Sequence, residues 1–175
     1  RRFVEMCDSF HIPIVNFVDQ PGFMIGPESE AQGTIRYGMA AVCAASQSTV
    51  PWSVVQVHKG FGVATAAHYA PGNYVFAWPS VESGGMSLEG AAYLVKRKEI
   101  LAAENSEEAL RIRDTYAESM RDANSGLRAA RSYQFDDVIL PAETRPRIIS
   151  MLHKLRPREM PKPQQEGGHK RHTID

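Results

Sequence analysis

Short apolar runs closed by glycine or proline turns alternate with longer amphipathic stretches, and this alternation predicts an α/β fold with parallel strands and flanking helices. Two observations support it. Residues 12–18 form the kind of apolar run that parallel sheets bury, and residues 53–58 are alternating and β-branched. The Ala-rich stretch between them, residues 28–48, is long enough to be the crossover helix that parallel pairing requires. A chain of 175 residues with 43% apolar content can bury one core, and it is short for two.

The elements follow in order. Residues 1–10 read as a helix, with Phe3, Met6, Cys7 and Phe10 at helical spacing. Because the first residue is Arg1, already inside that pattern, the chain is expected to be a piece of something longer. The first strand, residues 12–18, is ended by Asp19-Gln20-Pro21-Gly22. The crossover helix should bury Ile35, Met39, Val42 and Cys43 and stop at Val50-Pro51. After the second strand, Lys59-Gly60-Phe61-Gly62 is expected to turn the chain into a short helix over residues 63–69. Residues 73–78 make a third strand, closed by Pro79 before a loop containing Gly84 and Gly85.

A helix is expected over residues 88–103, and a second begins at the capping sequence Asn105-Ser106-Glu107-Glu108. That second helix runs to about residue 122 with Ala109, Ile112, Tyr116 and Met120 on one face. Residues 135–140 form a final strand. Residues 144–155 form a last helix, in which Pro146 is tolerable only in the first turn. The expected domain spans residues 1–157, and prolines, Gly167-Gly168 and scattered charges indicate a flexible tail over 158–175.

Composition narrows the partners. Lys plus Arg and Asp plus Glu are equal at 20 each, so no global field draws the chain to nucleic acid or an anionic membrane. Cys7 and Cys43 form neither a disulfide framework nor a metal-ligand spacing, which points to a reducing compartment and to no metal. No apolar run approaches the roughly 18–20 residues that span a bilayer, and no secretory signal pattern opens the chain.

In α/β sheets, ligands collect beyond the carboxyl ends of the strands. This singles out two glycine-bearing loops, residues 19–26 and 59–64. Backbone N–H groups of Val63 and Ala64, opening a helix after Gly62, would offer donors to an oxygen that develops negative charge. No side-chain nucleophile stands there. The tempting side chains have structural readings: His11, His58, His68 and His153 as packed or hydrogen-bonded groups, and Trp52 and Trp78 as core. Asp19 reads as a site or turn-capping residue, Lys96-Arg97-Lys98 as a solvated face, and Glu107-Glu108 as capping groups.

The run from Phe17 through Val18-Asp19-Gln20-Pro21-Gly22-Phe23 to Gly26, followed by Gly33-Thr34-Ile35-Arg36-Tyr37-Gly38, resembles carboxyltransferase subunits of propionyl-CoA and related acyl-CoA carboxylases. The likeness continues in order through Thr49-Val50-Pro51, Lys59-Gly60-Phe61-Gly62-Val63-Ala64, Ala77-Trp78-Pro79 and Met86-Ser87-Leu88-Glu89-Gly90-Ala91. It ends in Phe135-Asp136-Asp137-Val138-Ile139 and Pro141-Ala142-Glu143-Thr144-Arg145. It matches only the carboxyl-terminal, biotin-facing half of such subunits.

The resemblance implies a crotonase/ClpP-like spiral domain and transfer of a carboxyl group from carboxybiotin on a carrier domain to the α-carbon of an acyl-CoA. It places Gly62, Val63 and Ala64 at the oxyanion site, and Asp19, Pro21, Gly22, Phe23, Gly26, Lys59 and Ala66 in substrate or biotin binding. The implied partners are an amino-terminal half that binds the CoA thioester, biotin carboxylase and biotin carrier subunits, and further copies in a homo-oligomer, a hexamer by resemblance. The implied location is cytoplasmic, or the mitochondrial matrix in a eukaryote. This sequence departs from the family's pattern at Val63, where glycine is usual, and at Ser83-Gly84-Gly85, where an apolar run is usual.

Four other functions fit parts of this pattern. A serine peptidase would need a nucleophile where Val63 and Ala64 stand, and an enoyl-CoA hydratase would need carboxylates that residues 59–69 lack. A biotin-dependent decarboxylase and an inactive assembly domain both stay open.

Overall fold

The computed structural model describes residues 1–155, and the tail expected over 158–175 lies outside them. Within it, helices cover a sheet whose strand pairs are all parallel, as the alternating pattern predicts.

Strand β1 (Ile14–Gln20) pairs with β2 (Trp52–Phe61), from Ile14 opposite Trp52 to Val18 opposite Gln56. Strand β3 (Tyr74–Ala77) lies along the other edge of β2 at Ser53 to Gln56, and β5 (Asp137–Val138) follows β3. The expected turn at Lys59-Gly60-Phe61 is instead a continuation of β2. These residues find a ladder partner in β4 (Glu82–Gly84), a strand where the sequence predicts a loop. Gly60 pairs with both Gln20 and Ser83, so β4 occupies the same edge of β2 as β3, further along.

Alternation along β2 divides the core. Trp52 and Val54 join Cys7, Ile14, Ala45, Val75 and Phe135 on one face, where α1 (Arg2–Ser9), α3 (Thr34–Gln47) and α8 (Gly126–Arg131) pack. Val55 faces the other way, with Phe76, Ile139 and Ile148 beneath α9 (Thr144–Lys154). Pro146 sits in the first turn of α9, where its missing N–H costs nothing.

Several expectations are corrected. The single crossover helix is two, α2 (Pro27–Ala31) and α3, broken at Gly33, whose φ of 76° is in the left-handed region. Its buried stripe is Ala40, Ala44 and Ala45, while Ile35 is exposed and Met39, Val42 and Cys43 are half-buried. The small side chains win because they let the helix approach the sheet closely. The helix expected over 88–103 breaks at Lys96 into α5 (Leu88–Val95) and α6 (Arg97–Ala102). Helix α8 was not foreseen, and the final strand shrinks from 135–140 to Asp137–Val138. Asn105 caps α7 (Ser106–Arg121) as expected, its Oδ1 accepting the Glu108 N–H at 2.9 Å. The face of α7 bearing Tyr116, Ala117 and Met120 closes a third apolar cluster with Phe61, Leu88 and Ala92.

His68, in the turn after α4 (Gly62–Ala66), is a structural group. Asn16 Nδ2 donates to His68 Nδ1 at 3.1 Å, which holds that nitrogen as the acceptor, and burial lowers the imidazole's pKa. Well above pH 6.5, the imidazole's ordinary pKa, the ring is neutral in folded and unfolded chains alike. As pH falls through 6.5, the unfolded chain takes the proton first, so stability should decline with falling pH until the folded ring also titrates. The urea midpoint is therefore expected to drop between pH 7.5 and 5.5, and to drop less in His68→Gln. Equal drops in the two proteins would remove His68 from the balance.

Candidate active site

Three neighbouring parallel strands end on one side of the sheet, and the segment after each contributes to a single cavity of about 480 Å³. Pro21, Gly22 and Phe23 follow β1, and Ile25 lies just beyond them. Gly62, Val63 and Ala64 follow β2, behind the last strand residue, Phe61. Gly85, Met86 and Ser87 follow β4 and lead into α5, which adds Gly90, Tyr93 and Leu94. Among these lining residues there is no carboxylate, imidazole or amine side chain. The walls are mostly apolar; beside the backbone groups they carry the Ser87 hydroxyl, whose oxygen accepts the Gly90 N–H, and the Tyr93 phenol.

Local sequence explains the walls. Gly62 opens α4 with a φ of 65°, a left-handed conformation that glycine adopts freely. Val63 has no positive φ, so its side chain is compatible with its backbone, and the strained position falls on Gly62. The N–H groups of Val63 and Ala64 lie in the first turn of α4, where a helix supplies no acceptor of its own. Ala64 is 2% exposed, whereas Val63 is 57% exposed, with its isopropyl group on the cavity wall. On α3, Gly38 leaves room for the Phe23 ring: a Cβ there would collide with the ring atoms.

A polar pair, Gln56 buried and Tyr69 half-buried, backs the β2 loop. Tyr69 donates its hydroxyl to Gln56 Oε1 at 2.7 Å, and burial pushes the phenol up to about 12. Gly60 is the residue that admits the Gln56 amide, since a Cβ at that position would overlap it.

Of the site residues expected from the sequence, Pro21, Gly22, Phe23, Gly62, Val63 and Ala64 line the cavity together. Asp19, Gly26, Lys59 and Ala66 do not. Asp19 instead accepts the Lys59 N–H at 3.0 Å and sits 3.3 Å from His58 Nδ1. Ala66 is exposed on α4, and Gly26 precedes α2. The third wall went unassigned, although the Met86-to-Gly90 motif signalled it. Ser87 caps α5, its Oγ accepting the Gly90 N–H at 3.1 Å, so the motif's small residues shape a helix start at the cavity.

Residues 1–168 match the family model described as the carboxyl transferase domain. Over 169 residues the chain is 39% identical to the methylmalonyl-CoA carboxyltransferase 12S subunit of Propionibacterium freudenreichii, covering 95% of this chain and 32% of that protein. Over 172 residues it is 37% identical to the carboxyltransferase subunit of propionyl-CoA carboxylase from Haloferax mediterranei, covering 95% of this chain and 33% of that protein. The chain thus spans about a third of the length of the relatives it matches. Among solved structures, a transcarboxylase 12S subunit superposes with a TM-score of 0.76 at 39% identity, covering 95% of this chain and 32% of that one. That protein is described as a hexamer in a multienzyme core, with methylmalonyl-coenzyme A and methylmalonic acid bound. The superposition places the α/β architecture of the present chain with the crotonase-like carboxyltransferases. Among the described residues, no helix is long and apolar enough to cross a membrane.

Proposed function

We propose, because the chain belongs to the carboxyl transferase domain family, that it forms the biotin side of a carboxyltransferase moving a carboxyl group from carboxybiotin to the α-carbon of an acyl-CoA. The observation that carries this reading is the cavity at the strand ends. It has mostly apolar walls, a pair of backbone N–H groups and no carboxylate, imidazole or amine side chain. A hydratase would need positioned carboxylates, and a serine peptidase a base beside its hydroxyl, neither of which the lining holds.

The residues fit the head of biotin, a compact bicyclic ring carrying one ureido carbonyl, because apolar walls suit the ring and N–H donors suit its oxygen. Carboxybiotin, when bound, supplies the carboxyl group, and its ureido oxygen gathers negative charge as that group departs. Val63 and Ala64 would donate their backbone N–H groups to that oxygen. One donor of this kind is worth about 2.7–4 kcal/mol of transition-state stabilisation in a well-studied hydrolase. Phe23, Met86, Tyr93 and Leu94 would exclude water, which strengthens both hydrogen bonds. The exposed Val63 side chain limits the room beside the donors and so helps set how the ring enters.

In this reading the CoA thioester is held by an amino-terminal half that the present chain does not match. Biotin carboxylase and biotin carrier subunits complete the cycle, and copies assemble as a homo-oligomer in the cytoplasm or the mitochondrial matrix. The 12S relative's hexamer supports the assembly. The test is decarboxylation of methylmalonyl-CoA with free biotin, run on this chain alone and on the longest natural product that contains it. Activity is expected only in the longer form. Turnover by the chain alone would refute the two-half division, and inactivity of the longer form would refute the carboxyltransferase reading.

A further inference from the structure

The ladder between β1 and β2 slips just before the cavity. Val18 pairs with Gln56, but the next pair is Gln20 with Gly60, so one residue of β1, Asp19, is opposed to three of β2, Val57, His58 and Lys59. A bulge of this kind removes ladder partners from the longer strand and re-aims the chain. Here the Asp19 side chain makes good the loss: its Oδ1 accepts the Lys59 N–H at 3.0 Å, with His58 Nδ1 on the same oxygen at 3.3 Å. Lys59 is also paired with Glu82 of β4. Asp19 therefore joins the ends of β1 and β2 through the Lys59 amide, on a residue that lies in register with Glu82 of β4 on the other edge, immediately before the three segments that line the cavity.

We infer that Asp19 is a positioning residue that sets the spacing of those three segments and does not touch the bound ligand. Its carboxylate does not line the cavity. A charge-assisted acceptor suits the task, because it is stronger than a neutral one and needs no second strand. Main-chain donors depend on such support, since a misplacement of about 1 Å can cost on the order of a hundredfold in rate. For its effect on turnover the clamp rests on the biotin-side function proposed above; for its effect on the Lys59 amide it does not.

Three variants separate the possibilities. Asp19→Ala removes the acceptor, Asp19→Asn keeps an oxygen in the same place without the charge, and His58→Ala leaves the Lys59 bond intact. Amide hydrogen exchange on this chain should show Lys59 exchanging about tenfold faster in Asp19→Ala, with Val54 and Val55 unchanged. In the longest natural form, kcat with free biotin should fall about tenfold in Asp19→Ala, while the KM for acyl-CoA moves by less than about threefold. Asp19→Asn should recover most of both losses, and His58→Ala should resemble the unaltered protein. Unchanged Lys59 exchange in Asp19→Ala would overturn the clamp. So would an Asp19→Asn protein with a protected Lys59 amide and the activity of Asp19→Ala, because the charge would then act on the ligand directly. If no form of the protein turns over, the function proposed above fails, and the exchange data still decide the clamp.

Discussion

Replacing Gly62 by valine is expected to lower kcat for carboxyl transfer by about 10²- to 10³-fold, the loss that removing one oxyanion donor causes elsewhere. The φ of 65° at Gly62 lies where a Cβ is penalised by about 1–2 kcal/mol, and branching at that carbon adds to the conflict. An added Cβ would also come within 3.3 Å of the Gly85 carbonyl oxygen, on the adjacent wall of the cavity. The chain can relieve this only by rotating the start of α4 or by displacing residue 85. The first turns away the N–H groups of Val63 and Ala64, and the second opens the wall formed by Met86 and Ser87. Gly62→Ala should be milder, because it keeps the φ conflict but loses the branch. The measurement is methylmalonyl-CoA decarboxylation with free biotin in the longest natural form, with a urea midpoint for each variant. A folded Gly62→Val protein with undiminished kcat would remove the backbone donors at Val63 and Ala64 from the mechanism.

Trp52→Ala should cost about 3–5 kcal/mol of stability, the usual range for deleting a buried aromatic side chain. Trp52 is 2% exposed and packs in the larger core cluster, at the point where β2 enters the sheet. Its Nε1 donates to Ser48 Oγ at 3.0 Å, tying the end of α3 to the strand that follows. Truncation would leave a cavity and deprive a buried hydroxyl of its partner. Trp52→Phe should retain most of the packing and lose the hydrogen bond, so its cost should be well below that of alanine. Urea denaturation followed by circular dichroism measures both. A loss under about 1 kcal/mol for Trp52→Ala would mean that the site collapses onto the vacancy, contrary to the dense packing expected of a core.

The α/β class, the order of the principal strands and the two glycine-bearing loops were all legible in the residues, because each depends on local chemistry. Apolar runs with β-branched residues pair as strands, and Pro-Gly and Gly-Phe-Gly end or redirect them. Asn105 announces the start of α7 through its side chain alone. The motifs that place the chain in its family are likewise strings of neighbours. Six of the ten residues named from the sequence meet in one cavity because they follow two adjacent parallel strands, a juxtaposition that parallel topology guarantees.

What stayed hidden depends on partners distant in the chain. Glu82-Ser83-Gly84 has no apolar alternation and is a strand only because β2 runs on past its bulge and offers Lys59, Gly60 and Phe61 as a ladder. With β4 came the third wall of the cavity, Gly85 to Leu94, and the place of α5 beside it. The buried face of α3 was misread because helical spacing marks where apolar residues lie, whereas close approach to the sheet favours the smallest of them, Ala40, Ala44 and Ala45. Asp19 belongs to the same class. A carboxylate after a strand reads as a ligand or a turn cap, and only the slip in register against β2 leaves the Lys59 N–H for it to hold. Local covalent order thus dictated the strands, turns and loops, while the third wall and the clamp arose from strand-edge hydrogen bonds that exist only once the sheet is assembled.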